Sequence, residues 1–391
     1  MTEFDVIVVG AGIHGAGVAQ AAAAAGHRVL VLEQHHPAYG TSSRSSKLIH
    51  GGLRYLESGQ LSLVRESLHE RTLMLKNAPD LVQLKPFYIP LYQHTRRQPW
   101  QIWTGLSLYA ALGGFSKGCG FGMVSRHEWS QLDGLTTDGL KHVFRYHDAQ
   151  TDDALLTHAV LKSAQSLGAD LYTPALLQHA VLHDQGVEIT YLQNAQTRTT
   201  TAKVIVNASG PWVNQTLERI TPTQHKPAIE LVQGTHLILP GQITRGIYYV
   251  ESPRDGRAIF VMPWHGQTMI GTTEVRYRGD PAQVQPLRSE VNYLLHTLKH
   301  YFRDYQHHTP QSITSSFAGL RVLPASDDAA FHRPRETLFA LDRHERPRLL
   351  SIVGGKLTGW RATAEKVLQR IAPSLPTATV RADTKQLRLT P

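Results

Sequence analysis

The chain has 391 residues, 41% of them hydrophobic and 18% charged, a globular composition that excludes a disordered chain and is long enough for two domains. Its formal net charge of +9 suits anionic partners, whether phosphorylated small molecules, nucleic acid or an acidic membrane surface, without choosing among them. A single cysteine, Cys119, excludes an intramolecular disulfide and fits a reducing cytoplasm.

The N-terminal MTEFDVIVVG carries acids and no basic segment, so it does not read as a signal peptide. Phe4 to Val9 reads as a buried parallel strand. The turn GAGIHG follows, then an alanine-rich helix to about Ala25, then a second buried strand, GHRVLVLE, closing on Glu33. Strand, glycine turn, helix and strand within about thirty residues form a dinucleotide-binding unit. Gly10, Gly12 and Gly15 permit the tight turn and the close approach of a pyrophosphate. The helix N-terminus stabilises that anion, and Glu33 accepts hydrogen bonds from a ribose. A Rossmann-like turn without a ligand is the plainer alternative.

Residues 40–58, GTSSRSSKLIHGGLRYLES, combine hydroxyls, glycines and the cations Arg44, Lys47 and Arg54. LSLVRESLHERTLMLKNAP is a helix stopped by Pro79, and FYIPLY a strand placed near a sheet edge by Pro90. RRQPWQIWTGLSLYAALGG carries Arg96, Arg97, Trp100 and Trp103, and reads equally as an interfacial amphipathic element or a packed surface helix. The apolar runs fall short of the roughly 20 residues that span a bilayer. TDDALLTHAVLKSAQSLG is a helix capped by Thr151 or Asp152 and ended at Gly168. VEITYL and AKVIVNASGPW are strands. Four short β runs, THLILP, GIYYVES, AIFVMPW and TMIGTTEV, suggest a meandering antiparallel sheet. RSEVNYLLHTLKHYF is a helix, and RLLSIVGGKLTGWRATAEKVLQRIA is a buried strand, a Gly-Gly turn and a helix. This second glycine-rich junction can face the electron-rich edge of a reduced flavin with its N–H groups. None of the 22 histidines shows metal-ligand spacing, so no metal site is expected.

TSSRSSKLIHGGLRYLE, DDALL, NASGPWV, QGTHLIL, MPWHGQTMIGTTEV, FAGLRVL and GGKLTGWR together resemble the FAD-dependent glycerol-3-phosphate dehydrogenases, within the D-amino-acid-oxidase-like flavoenzymes. The resemblance runs from about Asp5 to about Glu365. It implies that Thr41, Ser42, Ser43, Ser46, Lys47, Leu48, His50 and Gly51 lie along a non-covalent FAD, with Ser209, Gly210, Gly355, Lys356, Leu357 and Thr358 completing the cofactor set. It also implies that Arg54, Arg321 and Lys356 converge on a substrate phosphate, beside Tyr55 and Thr272. His236 of QGTHLIL reads alone as a core histidine; the resemblance makes it, with Arg321, a candidate for deprotonating or polarising the substrate hydroxyl.

The expected fold is α/β. A doubly wound, glutathione-reductase-like FAD-binding domain (1–85, 148–215 and 318–391) is interleaved with a substrate domain on a mixed or antiparallel sheet (86–147 and 216–317). The implied reaction is oxidation of sn-glycerol 3-phosphate to dihydroxyacetone phosphate by hydride transfer to flavin N5, with quinone or oxygen as acceptor. The expected protein is cytoplasmic, peripheral on a membrane face if the tryptophan-bearing helix docks there, and has no nucleic-acid partner. The alternatives are a 2-hydroxy-acid or amino-acid oxidoreductase of the same superfamily and a non-catalytic flavin-binding paralogue. Three features depart from the family pattern. Glu274 stands where Asp is frequent, Gly359-Trp360 where Thr-Tyr is frequent, and the sequence stops before the further helical domain usual in the family.

Overall fold

A computed structural model describes residues 3–115, 117–325 and 337–391. Two sheets organise them. The first is built around the strand Gln196–Asn207. Its N-terminal half pairs antiparallel with Gly186–Gln193, and its C-terminal half lies parallel between Phe4–Val9 and Leu349–Val353. Val29–Leu32 and Asp170–Tyr172 extend the parallel part. Such strands must be apolar on both faces. Val6 and Val8 pack with the helices Ile13–Ala24, Asp153–Ser166 and Trp360–Ile371, while Ile7 and Val9 pack with the antiparallel layer of Leu177, Val187 and Ile189.

Alanines make the first helix thin enough to be buried almost all round. Gly17 goes further: a Cβ there would lie 2.7 Å from the Trp360 ring. Trp360 therefore belongs to the helical layer. Asp152 caps the helix Asp153–Ser166, accepting from the Leu155 N–H at 3.0 Å. The Thr151 hydroxyl instead binds the Leu81 carbonyl.

The second sheet has ten strands, and its main path begins Val275–Tyr277, Ile229–Leu239, Gln267–Gly271, Ala258–Trp264, Ile247–Glu251, Val82–Tyr92, Leu140–Thr151. The expected meander holds for Ile247–Glu251, Ala258–Trp264 and Gln267–Gly271. Ile229–Leu239 pairs instead with the last of these and, on its other edge, with Ser315–Pro324. The FYIPLY run is not at an edge. Val82–Tyr92 lies between Leu140–Thr151 and Ile247–Glu251. Pro90 is tolerated because the pairing with Ile247–Glu251 covers only Phe87 and Tyr88 and ends before it. The helix Arg288–Tyr301 covers one face through Leu294, Leu295 and Leu298.

Candidate active site

The C-terminal ends of four parallel strands open into one cleft, the usual ligand position in such sheets. Gly10 and Gly12, Glu33 and Gln34, Ala208 to Gly210, and Gly354 to Leu357 line it, as do Thr41, Ser42 and Arg321. It encloses about 1490 Å³, its mouth included. The glycines are required by contact. Gly10 has φ +102°, and a Cβ on Gly15 would fall 1.8 Å from the Gly10 carbonyl oxygen. Gly355, at φ +108°, leaves room for the His14 ring, since its Cβ would meet Nε2 at 2.2 Å.

The polar groups of the cleft suit a dinucleotide. Glu33 fastens the turn, with Oε2 accepting from the Ala11 N–H and Oε1 from the His35 N–H, both at 2.8 Å. Each oxygen retains acceptor capacity for a ribose hydroxyl. The first N–H of the helix, at Ile13, donates to Ser42 Oγ at 2.9 Å, so a hydroxyl already stands at the anion-binding end. Val9, Leu32, Leu176 and Trp212 add apolar walls. Among the lining residues, Leu176 and His14 escaped the motif reading: His14 occupies an x position between the glycines, and Leu176 comes from a strand without a motif.

Residues 40–58 divide their work. Thr41 and Ser42 face the cleft, with the Thr41 hydroxyl donating to the Leu320 carbonyl at 2.7 Å. The Ser43 hydroxyl bonds the Gly40 carbonyl. Lys47 does not line the cleft: its ammonium is buried against Asp153 Oδ1 at 2.5 Å and the Ser43 carbonyl at 2.6 Å. It therefore anchors the stretch to the helix Asp153–Ser166. Leu48 is in the core with Val64 and Leu68. The His50 N–H donates to Thr358 Oγ1 at 3.1 Å, joining this stretch to the second glycine-rich junction. The Gly51 N–H donates to the Tyr109 hydroxyl at 2.8 Å, which donates to Asp148 Oδ2 at 2.6 Å. Ser209 donates to Asn207 Oδ1 at 2.6 Å, which shapes the turn at Gly210.

Two groups of candidate substrate residues emerge. In one, Lys356 Nζ sits 3.7 Å from the centre of the Tyr55 ring and the Arg54 guanidinium 5.7 Å from the same centre. In the other, Arg321 donates to Glu274 Oε1 at 2.5 Å and to the Thr273 carbonyl at 2.8 Å. Gly234 makes this possible, because a Cβ there would lie 2.5 Å from both Arg321 Nη2 and Thr272 Oγ1. His236 is buried on the neighbouring strand, stacked on Phe317 with ring centres 4.8 Å apart. Its Nε2 is 2.9 Å from Ser46 Oγ, while Nδ1 has no hydrogen-bond partner among the described residues. Burial, then the Lys47 and Arg321 charges, lower its pKa to about 3, so the ring is neutral.

The family described as FAD dependent oxidoreductase matches residues 5–361. The chain belongs to that family. Its cofactor is FAD, the dinucleotide that the cleft fits. A glycerol-3-phosphate dehydrogenase of Pseudomonas aeruginosa is 36% identical over 95% of this chain and 72% of its own length. A D-erythritol 1-phosphate dehydrogenase of Brucella abortus is 34% identical, over 95% and 74%. Among solved structures, the glycerol-3-phosphate dehydrogenase of Bacillus halodurans complexed with FAD superimposes with a TM-score of 0.76 at 28% identity, over all of this chain and 68% of that one. The flavoenzyme has no described helix long and apolar enough to cross a membrane.

Proposed function

We propose that the enzyme oxidises the secondary hydroxyl of sn-glycerol 3-phosphate to give dihydroxyacetone phosphate. The observation that carries this reading is the convergence of Lys356 and Arg54 on one tyrosine, Tyr55, from opposite ends of the chain. Two cations in a partly dehydrated corner suit a phosphate, with arginine offering a fork and lysine a point charge. The names of the dehydrogenases of P. aeruginosa and B. halodurans point the same way.

In this reading Arg54 and Lys356 hold the phosphate, and Arg321, steadied by Glu274 and Thr273, donates to the oxygen that becomes the carbonyl. A guanidinium cannot serve as a base, so His236 is assigned the hydroxyl proton. Its ring is neutral and therefore able to accept. Ser46 holds the other ring nitrogen and so orients the ring. Bound FAD supplies the hydride acceptor. The residues 41–51 and 354–358 are proposed to hold it, some directly and others, such as Lys47 and Gly51, by bracing the backbone.

The electrons are proposed to pass to a quinone or to oxygen. The helix Pro99–Leu112 supports a membrane acceptor: it buries Ile102, Leu106 and Tyr109 and leaves Trp100 and Trp103 exposed, by 68% and 47%. Mixing the oxidised holoenzyme anaerobically with sn-glycerol 3-phosphate tests the reaction. Bleaching of the flavin absorbance by this substrate, and not by glycerol, glycine or lactate, is expected. Bleaching by D-erythritol 1-phosphate alone would transfer the assignment to a longer alditol phosphate, and bleaching by glycine or lactate alone would overturn it.

A further inference from the structure

The Arg321 guanidinium is set by the short segment Thr272–Glu274, and that segment is itself held by a carboxylate outside the cleft. Glu290 belongs to the first turn of the helix Arg288–Tyr301 and is buried. Its Oε1 accepts from the Thr273 hydroxyl at 2.5 Å. Its Oε2 accepts from the Thr235 hydroxyl at 2.8 Å, the Gln233 amide at 2.5 Å and the Leu287 N–H at 2.9 Å. Thr273 Oγ1 accepts in turn from the Thr235 N–H at 2.8 Å. Gln233, Thr235 and Thr273 are all buried. The Thr273 carbonyl, on the same residue, takes the Arg321 Nη2–H at 2.8 Å. A helix cap needs only the Leu287 bond; the other three donors tie the helix to Ile229–Leu239 and to the segment Thr272–Glu274 that holds Arg321.

We propose that Glu290 is a positioning residue for the oxidation: through Thr273 it fixes the direction in which the Arg321 guanidinium meets the substrate oxygen. The inference rests on the assignment of Arg321 to substrate. The chemistry of the contact gives it a specific weak point. An amide at position 290 keeps one oxygen for the three donors gathered at Oε2 and turns an NH2 toward Thr273. Thr273 Oγ1, already an acceptor from Thr235, then receives a second donor and loses its own acceptor. The segment must shift, although nothing charged is left unpaired and no cavity is made.

Steady-state kinetics per bound flavin, with FAD content and Tm, decide the matter for Glu290→Gln, Thr273→Val, Thr273→Ser, Arg321→Ala and the double variant Glu290→Gln/Arg321→Ala. Glu290→Gln and Thr273→Val are each expected to lower kcat/KM for sn-glycerol 3-phosphate by about tenfold or more at unchanged FAD content. Thr273→Ser, which keeps the hydroxyl, regains most of that loss. The double variant is no worse than Arg321→Ala within about twofold, because the two residues act through one contact. Losses that multiply in the double variant would overturn the positioning role while leaving Arg321 on the substrate. So would a fall in Tm or FAD content for both Glu290→Gln and Thr273→Val with kcat/KM per flavin unchanged. Wild-type kcat/KM in Arg321→Ala would remove both assignments.

Discussion

Ser46 Oγ and His236 Nε2 lie 2.9 Å apart, a bond that joins the serine-rich stretch to the strand Ile229–Leu239 of the second sheet. The bond commits one nitrogen of a buried, neutral ring whose Nδ1 has no described partner. A structural histidine and a catalytic one both need such a ring to stay neutral, and pH separates their energetic signatures from those of the surface.

The His236 pKa is lowered from 6.5 to about 3 in the fold. Below about pH 6.5 the unfolded chain therefore binds a proton that the folded chain refuses. The stability contributed by the neutral ring is complete above that pH and is lost as pH falls toward 3, by up to about 1.4 kcal/mol per pH unit. Tm of the wild type is expected to fall more steeply between pH 6.5 and 4.5 than Tm of His236→Gln. Parallel slopes would contradict a buried neutral His236.

Burial also separates two kinds of ion pair. Arg71 and Asp148 have side chains 1% exposed, and Asp148 also holds Tyr109, which holds Gly51. Asp148→Ala strands a buried guanidinium and is expected to cost about 3–5 kcal/mol, a large share of a typical 5–15 kcal/mol stability. Glu218 and Lys226 have side chains 57% and 46% exposed. Glu218→Ala is expected to cost less than about 1 kcal/mol. Denaturant titration checks the contrast, and equal losses would contradict it.

The tryptophan-bearing helix gives a third expectation. Arg97, a candidate lipid contact on sequence grounds, donates to both oxygens of Glu57 and to Glu251, so its charge is largely matched within the fold. Membrane contact then depends on the apolar face, at about 25 cal/mol per Å² buried. Trp100→Ser combined with Trp103→Ser is expected to weaken liposome binding by about tenfold or more. Co-sedimentation unchanged by the double substitution would remove the helix from the interface.

The first strand, turn and helix were legible because each signal is local: an unbroken Val/Ile run, glycines at fixed spacing and an acid at the end of the second strand. Gly10, Gly12 and Glu33, read from those motifs, and Thr41, Ser42 and Lys356, implied by the resemblance, all line the cleft. Lys47 was assigned to the cofactor by resemblance, and nothing nearby in sequence announces Asp153, its partner more than a hundred residues later. Pro90 spoke for an edge because a proline reports a missing donor, not which stretch of the neighbouring strand is absent. Nothing in the sequence singles out Glu290 in its helix; its burial exists only once Ile229–Leu239 is packed beneath it.

The central claim is that the Arg54–Tyr55–Lys356 corner holds a phosphate. The most direct measurement is kcat/KM of the wild type, Arg54→Ala and Lys356→Ala on sn-glycerol 3-phosphate and on glycerol. Removing one partner of a desolvated charge pair costs about 2–5 kcal/mol, so each substitution is expected to lower kcat/KM on the phosphate by roughly 30-fold or more. Whatever activity is found on glycerol should barely change, because that substrate has no anion to anchor. Equal losses on both substrates, or no loss on the phosphate, would contradict the account.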